Sequence, residues 1–225
     1  MRRTDTDIYL VRHGRTPLSA RHIVNGNPAT RVPLDDAGRR QCRDLAKSAP
    51  WLGEIATCVT SALPRTQETA QLLLAGRAVP HVAVARLNEI DYGRFEGGPW
   101  LRYGDWLEAA GMSFVPPGAR ESRDGAVRRM LLGLRACLAL PGPRLVVGHG
   151  LLLSVLMCLA SDRPICRAVL EEAPYVAPLF FSSVRLEVLI DQGLLNLDRS
   201  APNRSGPAST DRYAVQVPPT SDLEP

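Results

Sequence analysis

The chain is almost without lysine: Lys47 stands alone, so the other basic side chains are arginines. Phe, Trp and Tyr together make up 5 %. No block of like charge and no basic stripe interleaved with aromatics occurs, so a nucleic-acid partner is not expected. Long hydrophobic runs are missing too. The longest, LLLSVLMCLA at 151–160, is about half of the roughly 20 residues a bilayer needs; it reads as a core helix, and no membrane partner is expected. The N-terminal MRRTDTD runs into an apolar stretch too short for a signal-peptide core. Cysteine is sparse and scattered: Cys42, Cys58, Cys137, Cys158 and Cys166 give an odd count without a CxxC pair. That excludes a zinc site of the usual spacing and a disulfide framework; free thiols in a reducing cytoplasm fit.

What is present is ordinary in bulk. Apolar content of 45 % with 22 % charged residues and a net charge of +4 describes a soluble globular protein. The 225 residues can bury one sizeable core. Arginine is the side chain that grips phosphate through a two-bond fork, although most of these arginines are expected on a solvated surface.

Along the chain, strands alternate with helices. Ile8 to Val11 is a continuous apolar run, as in a strand covered on both faces. LDDAGRRQCRDLAKSAP predicts a helix capped by Asp35 or Asp36 and stopped by Pro50. IATCVTS is a β-branched strand ending on Ser61, and ALPRTQETAQLLLAG a helix with Pro64 in its first turn and Gly76 at its end. HVAVARL, residues 81–87, predicts a third strand. From Glu96 to about Gly118 the pattern dissolves into glycine, proline and two tryptophans. A helix from Ser122 to Leu140 precedes RLVVGHG, a fourth strand leading into the apolar helix from Leu151. The order predicts an α/β fold, a three-layer α/β/α sandwich around a mostly parallel sheet. Residues 1–198 are assigned to one catalytic domain with a lid segment at about 96–124, and 199–225 to a Pro-, Ser- and Thr-rich disordered tail in which YAVQV alone is suited to docking.

Two strands end alike, YLVRHG and LVVGHG. Ligands of open parallel sheets bind outside the carboxyl ends of strands. Neighbouring strands would set His13 and His149 across one crevice. Arg12 precedes His13, VTSALPRT delivers Arg65 into a helix's first turn where the backbone favours anions, and ARLNEIDYG puts Glu89 just past its strand.

These residues resemble the histidine phosphatase superfamily, with its phosphoglycerate-mutase-like fold. The resemblance covers Arg12-His13-Gly14 with Thr16, then PLDDAGRRQ, SALPRTQETA, LNEIDYGRFEG and VVGHG, in the family's order over about residues 8–160. It implies that His13 is the nucleophile, that Arg12, Arg65 and His149 surround the phosphoryl oxygens, and that Glu89 protonates the leaving group and later activates water. Asp91 and Glu96 are rival carboxylates. Ser19 stands where the family often has a phosphate-binding asparagine, and Arg15 where glutamate or glutamine is common. VPPGARESRDG resembles a substrate-side loop but carries Arg120 as an insertion. His22 and His81 read as surface or loop residues.

The expectation is a metal-independent phosphomonoester hydrolase, cytoplasmic, without cofactor, acting on a small phosphorylated substrate. A phosphoglycerate-type phosphomutase is the alternative, and a non-catalytic phosphate-binding module a third. The mutases carry a longer lid between the acid and the second histidine. Trp100, Tyr103, Trp106 and Phe114 in the lid could read a leaving group or pack the lid onto the sheet; packing is the expectation preferred.

Overall fold

The computed structural model describes residues 7–165 and 170–200. Its centre is a five-stranded sheet, formed by β1 (Asp7–Arg12), β2 (Thr57–Thr60), β3 (His81–Ala83), β4 (Arg144–Gly148) and β5 (Pro178–Ser182), in the order β3-β2-β4-β1-β5. The first four strands run parallel, and β5 pairs antiparallel with β1. The mostly parallel α/β architecture expected from the sequence is present.

Alternation along β1 divides the interior. Ile8 and Leu10 face a cluster built with α4 (Arg123–Cys137), α5 (Gly150–Ala160) and α6 (Ser183–Ser200). Tyr9 and Val11 face the other side, with side chains of α1 (Asp36–Ser48) and α2 (Pro64–Leu74). On that face Tyr9 stacks on Trp51, ring centroids 4.0 Å apart. The continuous apolar runs of β1 and β4 therefore record burial on both faces.

The helix signals read from the sequence act as predicted. Asp35 caps α1, its carboxylate accepting from Gly38 N at 2.7 Å. Ser122, expected as the first residue of a helix running to Leu140, is instead the cap of α4, accepting from Gly125 N at 3.1 Å. Pro64 occupies the first position of α2, and Ala75 and Gly76 both take positive φ after it.

Four elements depart from expectation. The predicted strand over 81–87 stops at Ala83, because β2 ends at Thr60 and offers no further ladder partner; the chain turns through Ala85–Leu87 and buries Leu87. The lid segment contains a helix, α3 (Trp100–Ala110), which buries Tyr103 and Leu107 one turn apart behind Pro99. Finally, β5 and α6 were not anticipated, since the pattern beyond Ser161 carried no recognised motif. The expected tail from 199, with its YAVQV stretch, lies outside the described residues beyond Ser200.

Candidate active site

β1 and β4 are neighbours, in a register that sets Arg12 against Gly148. The next residue on each strand is a histidine, so the sheet delivers His13 and His149 side by side. Their ring centroids are 5.2 Å apart and edge-to-face. His13 is anchored through its own backbone, which donates to Gly148 O at 3.0 Å.

The ring of His13 has a determinable tautomer. Nδ1 lies 2.8 Å from Gly14 O, a carbonyl that can only accept, so Nδ1 carries the proton. Nε2 then accepts from Arg65 Nε at 3.2 Å. Burial lowers the His13 pKa well below the usual histidine value, and the Arg65 charge lowers it further, while the Gly14 bond opposes both. His13 is uncharged, with its Nε2 lone pair turned to the arginine side. Close packing holds this turn: a Cβ on Gly14 would stand 3.1 Å from Cys42 Sγ, Gly38 O and Leu34 Cδ1.

Arg65, in the first turn of α2, is 3 % exposed. Besides His13, its guanidinium donates to Asn25 Oδ1 at 2.9 Å and Asn25 O at 2.8 Å, and meets His149 Nδ1 at 3.3 Å. An arginine only donates, so His149 Nδ1 accepts and Nε2–H donates to Ser61 Oγ at 2.8 Å. Ser61 continues to Thr66 Oγ1, also at 2.8 Å. His149 has no exposed surface, and its pKa is lowered well below normal, first by burial and then by Arg65. It stands behind Arg65.

Arg12 is fixed by the segment before β5. Nη1 donates to Ala173 O and to Glu172 Oε1, the latter at 2.7 Å, and the guanidinium carbon lies 3.8 Å above the Tyr175 ring. Its Nε is buried without a partner among the described residues. A Cβ on Gly150 would stand 3.3 Å from this guanidinium, so glycine at the start of α5 lets the charge pack there.

The three carboxylates compared in the sequence separate by surroundings. Glu96 accepts from the backbone N–H of Gly26 and Asn27, holding the 25–27 loop. Asp91 accepts from Gly93 N and Arg120 N. Glu89 alone of the three lines the same cavity as Arg12, His13 and Arg65. Burial raises its pKa, against the pull of Arg65, of its bond from Ile90 N and of Arg12. Arg129 of α4 steadies its loop, donating to Asn88 O at 2.9 Å and to Glu121 at 2.7 Å.

The cavity, of about 290 Å³, brings together Arg12, His13, Arg65 and Glu89, with Ser19 on its wall. The Ser19 hydroxyl closes a turn with Thr16, accepting from its N–H at 2.9 Å. His22 also lines the cavity, whereas His81 lies on the exposed edge strand against Thr60. Sequence reasoning missed Asn25, Glu172 and Tyr175. Asn25 sits in a loop whose composition signals only a turn, and Glu172 and Tyr175 lie past the last recognised motif. Arg12, paired with the exposed Glu172 carboxylate, and Arg65 stand buried beside two uncharged histidines, and this positive charge suits a phosphoryl dianion. Among the described residues no group of three or more His, Cys, Asp and Glu could hold a metal ion, and no helix is long and apolar enough to cross a membrane.

The profile of the histidine phosphatase superfamily (branch 1) matches residues 8–171. A probable phosphoglycerate mutase GpmB of Cronobacter sakazakii is 35 % identical over 164 residues, covering 67 % of this chain and 72 % of its own. Among solved structures, Bacillus stearothermophilus YhfR superposes with a TM-score of 0.64 at 26 % identity, over 77 % of this chain and 89 % of that one. A mycobacterial glucosyl-3-phosphoglycerate phosphatase, solved with VO3, gives 0.61 at 22 % identity, over 79 % and 92 %.

Proposed function

The chain belongs to the histidine phosphatase superfamily, and from that premise we propose that it hydrolyses a small phosphomonoester through a phosphohistidine, with arginine rather than a metal ion supplying positive charge. The observation that carries this reading is the state of His13: uncharged, its proton fixed on Nδ1 by Gly14 O, its Nε2 lone pair beside Arg65.

In the first step His13 Nε2 attacks phosphorus in line, forming the N–P bond as the ester P–O bond breaks. Arg12 and Arg65 hold the phosphoryl oxygens, and Ser19 adds a hydroxyl to the wall. His149 keeps Arg65 in place and completes this side. Glu89, whose pKa burial raises, gives its proton to the departing alkoxide. As a carboxylate it then takes a proton from the water that attacks phosphorus, releasing phosphate and restoring His13.

A phosphoglycerate-type mutase is the second reading, supported by what the C. sakazakii relative is called. It shares the first step and differs in the acceptor, so the lid decides. Here the lid segment, about 96–124, holds one helix of 11 residues, α3, and a short cover admits water. The test is a panel of phosphomonoesters with chelator present, alongside 3-phosphoglycerate with catalytic 2,3-bisphosphoglycerate. Phosphate release is expected in chelator. Formation of 2-phosphoglycerate faster than phosphate would make the mutase reading the correct one.

A further inference from the structure

Glu89 stands between two cavities. It lines the one that holds His13, and it also lines a second, of about 540 Å³, together with Asn88, Asp91, Glu121 and Arg129. Its carboxylate accepts from Ile90 N at 3.0 Å, a bond within its own loop. A side chain with open space on two sides takes its place from its backbone more than from packing, so what fixes that backbone matters.

One cation fixes it. Arg129 Nη1 donates to Arg86 O at 2.7 Å and to Asn88 O at 2.9 Å, and Nη2 reaches Glu89 O at 3.4 Å. Nε and Nη2 also donate to the two carboxylate oxygens of Glu121, at 2.9 Å and 2.7 Å. All five N–H groups of the guanidinium are thereby used. The fit depends on Gly133, one turn further along α4, where a Cβ would stand 2.7 Å from Arg86 Cβ; glycine lets the loop lie this close to the helix. Carbonyls that converge on one point repel one another unless a cation stands there.

We propose that Arg129, locked by Glu121, is a positioning residue for Glu89: it sets the backbone from which the acid reaches the leaving-group oxygen. The acid's role rests on the phosphomonoesterase reading above. Arg129 lines the second cavity and not the first, so it acts through Glu89 and not on the phosphoryl group. A proton donor must lie within hydrogen-bond reach of the oxygen it protonates, and a misplacement of about 1 Å can cost roughly 10²-fold. The second cavity is the space into which the loop can relax once the clamp is lost. A lysine at 129 would keep the charge but cannot span the carbonyls and the carboxylate together.

The test compares two esters by kcat/KM, which covers the steps up to alcohol release: an alkyl phosphate and nitrophenyl phosphate. Arg129→Gln should slow the alkyl ester by about 10- to 10²-fold and the nitrophenyl ester far less, and Arg129→Lys should do the same. The inhibition constant of inorganic phosphate should not move, because Arg12 and Arg65 are untouched. In a Glu89→Gln background, adding Arg129→Gln should cost the alkyl ester about twofold at most, since a residue that acts through Glu89 has nothing left to act on. Glu121→Gln, which loosens the guanidinium and keeps it, carries the same comparison if Arg129→Gln melts too low to assay. Equal slowing of the two esters, full activity in Arg129→Lys, or an undiminished loss in the Glu89→Gln background overturns the role. If the wild-type protein hydrolyses neither ester, the phosphatase reading fails and the role falls with it. Hydrolysis with an unchanged ester ratio in the variants overturns the role alone.

Discussion

Arg65 Nε donates to His13 Nε2 across 3.2 Å, so the nitrogen proposed to attack phosphorus is held by the guanidinium proposed to grip it. The other arms of that guanidinium reach Asn25 and His149. One planar group thus orders both histidines and the 25–27 loop. Substrate must draw Arg65 toward its own oxygens, which frees the His13 lone pair when a phosphoryl group arrives.

Arg65→Lys should therefore fail despite keeping the charge. A lysine ammonium cannot present three fixed directions at once. The loss in kcat should approach the ~10³–10⁵-fold worth of an arginine on a transferring phosphoryl group. His13→Ala should abolish both turnover and any acid-labile, base-stable phosphoryl label. Steady-state rates and labelling with a radioactive phosphomonoester check both. A near-normal rate in Arg65→Lys would reduce the arginine to a point charge.

Glu89→Gln should slow esters with poor leaving groups by about 10²–10⁴-fold and an aryl ester with a good one far less. Its raised pKa also sets the alkaline limb: activity falls as Glu89 loses its proton, and that limb should flatten in the variant with the aryl ester. Equal damage to alkyl and nitrophenyl phosphates would remove Glu89 from the acid's role. Asp91 and Glu96 could not readily replace it, since their carboxylates are held by loop N–H groups.

Much of this site was legible because its chemistry sits at strand ends. The repeated apolar-run-then-His pattern located His13 and His149, and parallel pairing of β1 with β4 put them together. The helix signals were equally local: Asp35 and Pro64 act through bonds or dihedrals within a turn. What stayed hidden depends on long-range contact. Tyr175 and Glu172 reach Arg12 across about 160 positions of chain, and nothing in EEAPYV marks that destination. The α3 helix was obscured by Gly104 and by flanking glycines and prolines, although its buried Tyr103 and Leu107 keep helical spacing.

Stability should depend on pH through the two histidines. Both have folded pKa values well below the unfolded value of 6.5. Below that value the unfolded chain binds more protons, so stability is lost as pH falls, with a slope approaching about 1.4 kcal/mol per pH unit for each ring. Glu89 acts in the opposite sense. Its folded pKa is raised, so the folded state binds more protons above 4.5, and stability falls as pH rises through that range. Glu89→Gln should therefore melt higher than wild type at neutral pH, with the gap closing as pH falls toward 4.5. Thermal melts across that interval test both signs; identical pH profiles for the two proteins would contradict them.

The last prediction concerns Glu172. Its carboxylate lies 2.7 Å from Arg12 Nη1, and its side chain is 58 % exposed where it lines the cavity. An exposed ion pair of this kind adds little to stability. Its charge nevertheless stands beside the arginine that a phosphoryl dianion must share, and like charges this close oppose binding. Arg12 does not need Glu172 to keep its place, because Ala173 O and the Tyr175 ring also hold it. Glu172→Gln should thus leave the melting temperature within a degree or two while tightening inhibition by inorganic phosphate severalfold. The gain should shrink as salt is raised, since screening weakens the repulsion in the wild-type protein. Inhibition constants at two ionic strengths decide the matter. Weaker phosphate inhibition in the variant would mean that Glu172 orients Arg12 for the dianion.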